Sequence, residues 1–397
     1  MKIAAVLEND IHAGGGFSMS LDLLLTIKEA ALKSNSEFII INFHKKNSYY
    51  LNKLNLQFIN VSETIFDKIF AFVKSGLAGA YFFSKFRINT LFENKLLKYG
   101  VDFVFFVTPS PKPFYLQQIN YAITVFDICH KEYPEFSEVS SYNIFYLREK
   151  ILQHCLGPAT YVITDSNKLK RQIASIYDKD EDRIISIPNR PSPLLKYDKN
   201  NFKSVIFEKL PINYFFYPAQ FWEHKNHIKI LYAIDKLKNS NVNFNVVFCG
   251  KDKGNLKNIN KVVEKLNLQK NIFIFNFLTH EQVSELYQNA MALLMPTYFG
   301  PTNYPPLEAW AYGVPLIYSL HLEEQTKDAA IYCDPDSIES IADCMLKVQT
   351  DVSLRSDLIK NGHKMLKLVE LQRKNSLNEL VKKIFLFKNR SKTWGSL

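Results

Sequence analysis

The chain has 397 residues, more than one ordinary core holds, and with 47% hydrophobic residues it has the material for two domains. A net charge of +10 is moderately basic, yet there is no Lys/Arg block of the kind that marks a nucleic-acid arm, so a phosphorylated substrate or an anionic membrane suits that charge better. Five scattered cysteines (Cys129, Cys155, Cys249, Cys333, Cys344) without a Cys-x-x-Cys pair exclude a disulfide framework and a zinc ribbon, and fit a reducing cytosol.

Residues 3–7 read as a strand and lack the pattern of a signal peptide. Gly14-Gly15-Gly16 reads as a loop. Residues 18–33 read as a helix, with Leu21, Leu24, Leu25 and Leu32 broadly on one face. Strands follow at 38–43, 101–107, 121–125 and 161–164, and this alternation predicts a parallel, doubly wound sheet. Residues 62–100 break the pattern. There Phe66, Phe70, Phe72, Tyr81, Phe82, Phe83, Phe86 and Phe92 interleave with Lys68, Lys74, Lys85 and Arg87. The stretch is too charged to span a bilayer. It reads either as an amphipathic insertion lying at a membrane interface or as a helical insertion packing on its own domain.

Ile187-Pro188-Asn189-Arg190-Pro191-Ser192-Pro193 reads as an inter-domain linker, because three prolines in so short a span continue neither a helix nor a central strand. The pattern then restarts. Strands are predicted at 214–217, 244–249, 272–275, 292–295 and 315–318, and helices at 227–239, 259–266, 281–289 and 337–348. The expected division is an N-terminal domain over 1–195, a second domain over 196–372, and a C-terminal helix and tail over 373–397 that packs back on the first. Two doubly wound halves imply a cleft between them as the place for a site.

The most informative stretch is Phe299-Gly300-Pro301-Thr302-Asn303-Tyr304-Pro305-Pro306-Leu307-Glu308. An apolar strand stops, a Gly/Pro loop turns, and a helix starts that Gly313 ends. Proline is favourable in a first turn, where its missing N–H would be unpaired anyway. The remaining N–H groups and the helix dipole make such an end a seat for an anion. A carboxylate beside it, Glu308, suits a ribose or sugar hydroxyl, so the stretch points to a sugar-phosphate site. Lys225, beyond the first strand of the second half, has the ammonium that a diphosphate leaving group needs.

Lys225-Asn226, the Gly250 turn, Phe277-Leu278, Pro305-Pro306-Leu307-Glu308-Ala309 and Gly313-Val314-Pro315 follow one another in order. Together they resemble the C-terminal domain of family 4 glycosyltransferases, the retaining GT-B group. The resemblance runs well over 214–345. It is looser in the N-terminal half, through Gly14–Gly16, Thr124-Val125-Phe126-Asp127 and Thr164-Asp165-Ser166. It implies an α/β GT-B fold, two Rossmann-like domains facing across a cleft. It further implies a nucleotide-diphosphate sugar donor held by the C-terminal domain, with no metal or other cofactor. In that likeness Glu308 is the second Glu of a paired-Glu motif and bonds the ribose. Lys225 binds the diphosphate, and Phe277 and Leu278 wall the nucleobase. Gly15, Gly16, Gln220, Asn226, Gly250, Gly300, Thr302, Asn303 and Tyr304 complete the donor contacts. Asp127 orients an acceptor or donor hydroxyl, or simply caps a helix, and His130 and Lys131 line the acceptor side or a solvated loop. With Lys225 and Glu308, Asp127 is the candidate for catalysis.

Three departures stand out. Gly300 occupies the place of the first Glu of the pair, Gln220 that of an Arg five residues before Lys225, and Phe126 that of a His before Asp127. Gln keeps a hydrogen-bond donor but loses the charge and fork of Arg. His224 and His227 lack a third metal ligand, and Asp334-Pro335-Asp336 reads as a turn and cap. The function expected is hexosyl transfer with retention to a lipid-linked glycan acceptor in bacterial surface polysaccharide or lipopolysaccharide (O-antigen) synthesis. The protein would be cytoplasmic, peripheral at the inner face of an anionic membrane. The alternatives are a GT-B nucleotide-sugar epimerase and a catalytically degenerate GT-B scaffold subunit.

Overall fold

The structure, a computed structural model, describes residues 1–10, 15–74, 85, 88–195, 197, 208, 210–238, 242–300 and 302–393. The chain forms two compact units. Unit 1 is Met1–Ile128, Tyr142–Asn189 and the described part of Leu371–Leu397; unit 2 is Cys129–Ser141 and Arg190–Glu370.

Unit 1 holds seven strands: β1 (Lys2–Leu7), β2 (Glu37–Asn42), β3 (Phe58–Asn60), β4 (Phe103–Phe106), β5 (Asn120–Thr124), β6 (Tyr161–Thr164) and β7 (Ile184–Ser186). Their order is β3-β2-β1-β4-β5-β6-β7, and neighbouring strands run parallel. Central strands such as Phe103–Phe106 are buried at every position. A parallel sheet covered on both faces requires that, and continuous apolar runs supply it. The helix over Gly15–Lys33 follows β1. Gly15 and Gly16, expected in a loop, lie in its first turn, while Gly14 falls outside the described residues. Of the basic aromatic stretch, Ile65–Lys74 is helical, and Tyr81, Phe82, Phe83, Phe86 and Arg87 lie outside the described residues.

Unit 2 repeats the winding with β8 (Phe215–Pro218), β9 (Val246–Cys249), β10 (Ile272–Phe275), β11 (Ala292–Met295), β12 (Leu316–Ser319) and β13 (Ile331–Cys333), in the order β10-β9-β8-β11-β12-β13. Its core is aromatic: Phe215, Phe216, Tyr217, Phe248, Tyr287, Trp310 and Tyr318 are all buried. The helix Tyr304–Tyr312 follows β11 with prolines in its first turn and ends on Gly313 in the left-handed region, φ 70°. Glycine takes that conformation without a Cβ clash. One helix of 40 residues, Val352–Ser391, begins in unit 2 and ends in unit 1. Among the described residues no helix is long and apolar enough to cross a membrane.

Candidate functional site

In a doubly wound sheet, ligands bind beyond the carboxyl ends of the strands where the winding reverses. In unit 2 that place lies between the neighbours β8 and β11. The loop after β8 makes one 3-10 turn, Glu223–Lys225, closed by Asn226 in the left-handed region, φ 59°. Asparagine tolerates this conformation better than most residues. The buried Asn226 Nδ2 donates to Pro296 O (3.0 Å) and Pro335 O (2.8 Å), so one amide ties three loops together. The Tyr298 N–H donates to His224 O at 2.9 Å, and the His224 ring stacks on Phe299 with centroids 3.8 Å apart.

Glu138 completes this turn. Its carboxylate accepts the N–H groups of Glu223 (3.1 Å) and His224 (3.0 Å) and pairs with His224 Nδ1. Burial works to raise its pKa, but the His224 ring and the two N–H groups prevail and hold the carboxyl below its ordinary value. The segment Cys129–Ser141 that brings Glu138 also packs Tyr133 and Phe136 on Phe299, with centroids 5.0 and 5.4 Å apart. Sequence reasoning missed Glu138, which lies 86 positions from its partner. Its signal, a carboxylate opening a four-residue turn, is too common to stand out.

The loop after β11 centres on Asn303. Lys225 Nζ donates to Asn303 Oδ1 at 3.3 Å, while Asn303 Nδ2 donates to Gly300 O (2.8 Å) and to the Tyr318 hydroxyl (2.6 Å). Tyr318 donates onward to Gln325 Oε1 (2.8 Å), which also accepts the Asn303 N–H (3.1 Å), and Gln325 Nε2 donates to Asn303 O (2.8 Å). Gly300 has φ 122°, and a Cβ there would stand 2.5 Å from Asn303 Oδ1. A side chain at 300 and the Asn303 amide therefore exclude each other.

Glu308 sits half-buried on the helix that starts beside Asn303, and Tyr287 donates its hydroxyl to Glu308 Oε2 at 2.8 Å. Burial pushes the Glu308 carboxyl up to about 7, although the Tyr287 bond acts the other way. Gly250 follows β9 where strand and loop crowd, since a Cβ there would stand 2.2 Å from Ala219 O. Gln220 accepts from Trp222 Nε1 at 3.1 Å. Phe277 is 68% exposed beyond β10, next to the half-buried Leu278. Thr302 is half-buried and Tyr304 buried. Lys225, Asn226, Gly300 and Asn303 thus come together at the strand ends, with Glu308 one turn farther along the helix.

The residues expected on the acceptor side behave differently. Asp127, in unit 1, pairs through Oδ1 with Arg148, which also donates to Asp127 O at 3.2 Å. His130, expected to line a cleft, has no exposed surface, because its short helix turns it inward; Lys131 is exposed. A cluster that sequence reasoning passed over lies in unit 1. Lys112 Nζ bonds Glu8 Oε2 (2.5 Å) and Glu63 Oε1 (2.7 Å), and Tyr115 donates to Glu63 at 3.1 Å. His227 is fully buried, stacked on Tyr217 at 4.9 Å, and burial drives its pKa down to about 3. Among the described residues no three His, Cys, Asp or Glu side chains are placed to hold a metal ion.

Known proteins resemble the chain at both levels. Residues 198–365 match the family described as glycosyl transferases group 1. The O-antigen chain mannosyltransferase RfbU of Salmonella typhimurium is 27% identical over 223 residues, 56% of this chain and 58% of that protein. The chain thus spans little more than half the length of that relative. Among solved structures, Anabaena Alr3699/HepE in complex with UDP and glucose superposes with TM-score 0.70 at 13% identity, covering 96% of this chain and 100% of that one. WaaG, a glycosyltransferase involved in lipopolysaccharide biosynthesis, gives TM-score 0.65 at 17% identity over 94% and 98%. Two parallel α/β sheets and these neighbours establish the fold as GT-B.

Proposed function

We propose that this chain is a glycosyltransferase that moves a sugar from a nucleoside-diphosphate sugar to a glycan acceptor, in the assembly of a surface polysaccharide or lipopolysaccharide. One observation carries the reading. Where the winding of the second sheet reverses, a lysine ammonium, the start of a nine-residue helix and the Glu308 carboxyl are gathered by two neighbouring loops. The group 1 match, the O-antigen mannosyltransferase relative and the UDP-bound neighbour support it. A mannosyl donor is the first to try.

As the bond from the sugar to the diphosphate breaks, negative charge grows on the leaving oxygen. Lys225 and the positive end of the Tyr304–Tyr312 helix dipole meet that charge. Glu308, ionised, accepts ribose hydroxyls, and the exposed Phe277 ring with Leu278 offers a face to the base. Retention follows the family 4 pattern, in which the leaving phosphate helps deprotonate the acceptor on the same face. That pattern asks for positioning rather than an enzymic nucleophile. Asp127, already paired with Arg148, serves to orient a hydroxyl. We place the acceptor at a membrane surface, met by the helix Ile65–Lys74, where Ile65 is 79% and Phe72 77% exposed.

Calorimetry with UDP, GDP and ADP tests the donor site. Lys225→Ala and Glu308→Ala should each weaken the tightest of them about tenfold or more, the usual scale for losing a charged contact. Unchanged affinity in both variants would remove the assignment.

A further inference from the structure

The network around Asn303 says more than that a diphosphate binds. Lys225 only donates and Gly300 O only accepts, so the Asn303 amide has one possible orientation, with Oδ1 toward the ammonium and Nδ2 toward the carbonyl. The second Nδ2 hydrogen goes to the buried Tyr318 hydroxyl, and Gln325 grips the Asn303 backbone from both sides. The side chain is thus locked by contacts with residues 3 and 15 positions away, and the backbone by one 22 positions away. It fills the space that a side chain at 300 would need. Asn303 is the N-cap residue of its helix, yet its side chain makes no capping bond. Its Oδ1 meets Lys225, and its Nδ2 holds that orientation through Gly300 O and Tyr318.

An aspartate has nearly the same shape, and an aspartate would ion-pair with Lys225. The amide holds the ammonium in place without cancelling its charge. We propose that Asn303 is the positioning and specificity-setting residue of the donor site: a neutral hub that aims Lys225 at the phosphates and keeps the site positive, so that it selects a diphosphate. This rests on the glycosyltransferase reading above and goes beyond it in assigning both the aim and the net charge to one amide.

The test compares affinity for the tightest of UDP, GDP and ADP with affinity for its parent nucleoside, by calorimetry. A purely structural disturbance weakens both ligands together and leaves their ratio unchanged. Asn303→Asp should lower the preference for the diphosphate at least about tenfold, the scale expected when a full negative charge is set beside the ammonium. Asn303→Leu, which removes the same hydrogen bonds without adding charge, should lower the preference only about threefold, the share that aiming contributes. Lys225→Met gives a second readout and should lose the preference as the aspartate variant does. Equal ratios in the aspartate and leucine variants, or a preference undiminished in Lys225→Met, would overturn the inference. A wild-type protein that binds no nucleoside diphosphate would instead overturn the donor-site reading on which it rests.

Discussion

Glu308 combines two demands that oppose each other. To accept ribose hydroxyls it must be ionised, whereas its burial favours the protonated form and lifts the carboxyl to about 7 from an ordinary 4.5. Between those values the folded protein holds a proton that the unfolded chain has lost, so stability falls as pH rises through that window. The loss starts near pH 4.5, is complete above about 7, and amounts to at most roughly 3 kcal/mol. Glu308→Gln has no such proton. Its urea midpoint should therefore gain on the wild type between pH 5 and 8, and parallel pH profiles would show that the raised carboxyl plays no part in stability. Glu308 and Lys225 were legible because their residue types and spacing carry meaning without a fold. Asn303 was expected as one donor contact among several and not as a hub. Its role depends on Tyr318 and Gln325, which the strand β12 and the turn after it deliver, and no local pattern marks an amide as a hub.

The helix Ile65–Lys74 shows an unusual balance for so short an element. It buries Asp67 and Phe70 and leaves Ile65, Phe66, Ile69, Phe72 and Val73 exposed. Asp67 turns inward because its carboxylate accepts from the Thr64 hydroxyl (2.6 Å) and the Phe92 N–H (3.1 Å), which fixes the apolar stripe outward. If that stripe meets a bilayer, as proposed, Phe72→Glu should cut cosedimentation with anionic vesicles more than tenfold, since burying one such ring is worth about 1.5–3 kcal/mol. Sedimentation equal to wild type would sink the membrane contact. The central strands were readable as apolar runs. β3, β7 and β13 were not, each being three residues long at a sheet edge, where one side needs no apolar cover. The long helix also hid its first half. Over its length Leu358 and Val369 are buried first and Leu377, Leu380, Ile384 and Phe387 later, so the buried stripe is sparse until residue 377.

At the scale of the molecule, the end of that helix is fastened into unit 1. Arg373 bonds both oxygens of the buried Asp22 (2.9 and 3.0 Å), the Thr26 hydroxyl (2.8 Å) and Pro188 O. Ser376 donates to Ser186 O at 2.7 Å, Tyr161 donates to Lys383 O at 3.1 Å, and Phe387 meets the Phe103 ring at 4.8 Å. Arg373→Ala leaves Asp22 buried without its guanidinium, a change that costs about 3–5 kcal/mol when the pair is well enclosed. Hydrogen exchange should then quicken in residues 371–391 and along β7, with unit 2 little affected. Uniform protection in the variant would mean that the other contacts suffice.

Because unit 1 draws on residues 371–393, the order of synthesis is not the order of completion. Everything unit 2 needs has left the ribosome by residue 370. At that moment unit 1, whose first strand was made hundreds of peptide bonds earlier, still lacks the segment that covers Phe103 and Tyr161 and that supplies Arg373 to Asp22. A truncated or stalled chain therefore presents a finished second unit and an unfinished first one. The apolar rings of that first unit are the surface a chaperone or protease would meet.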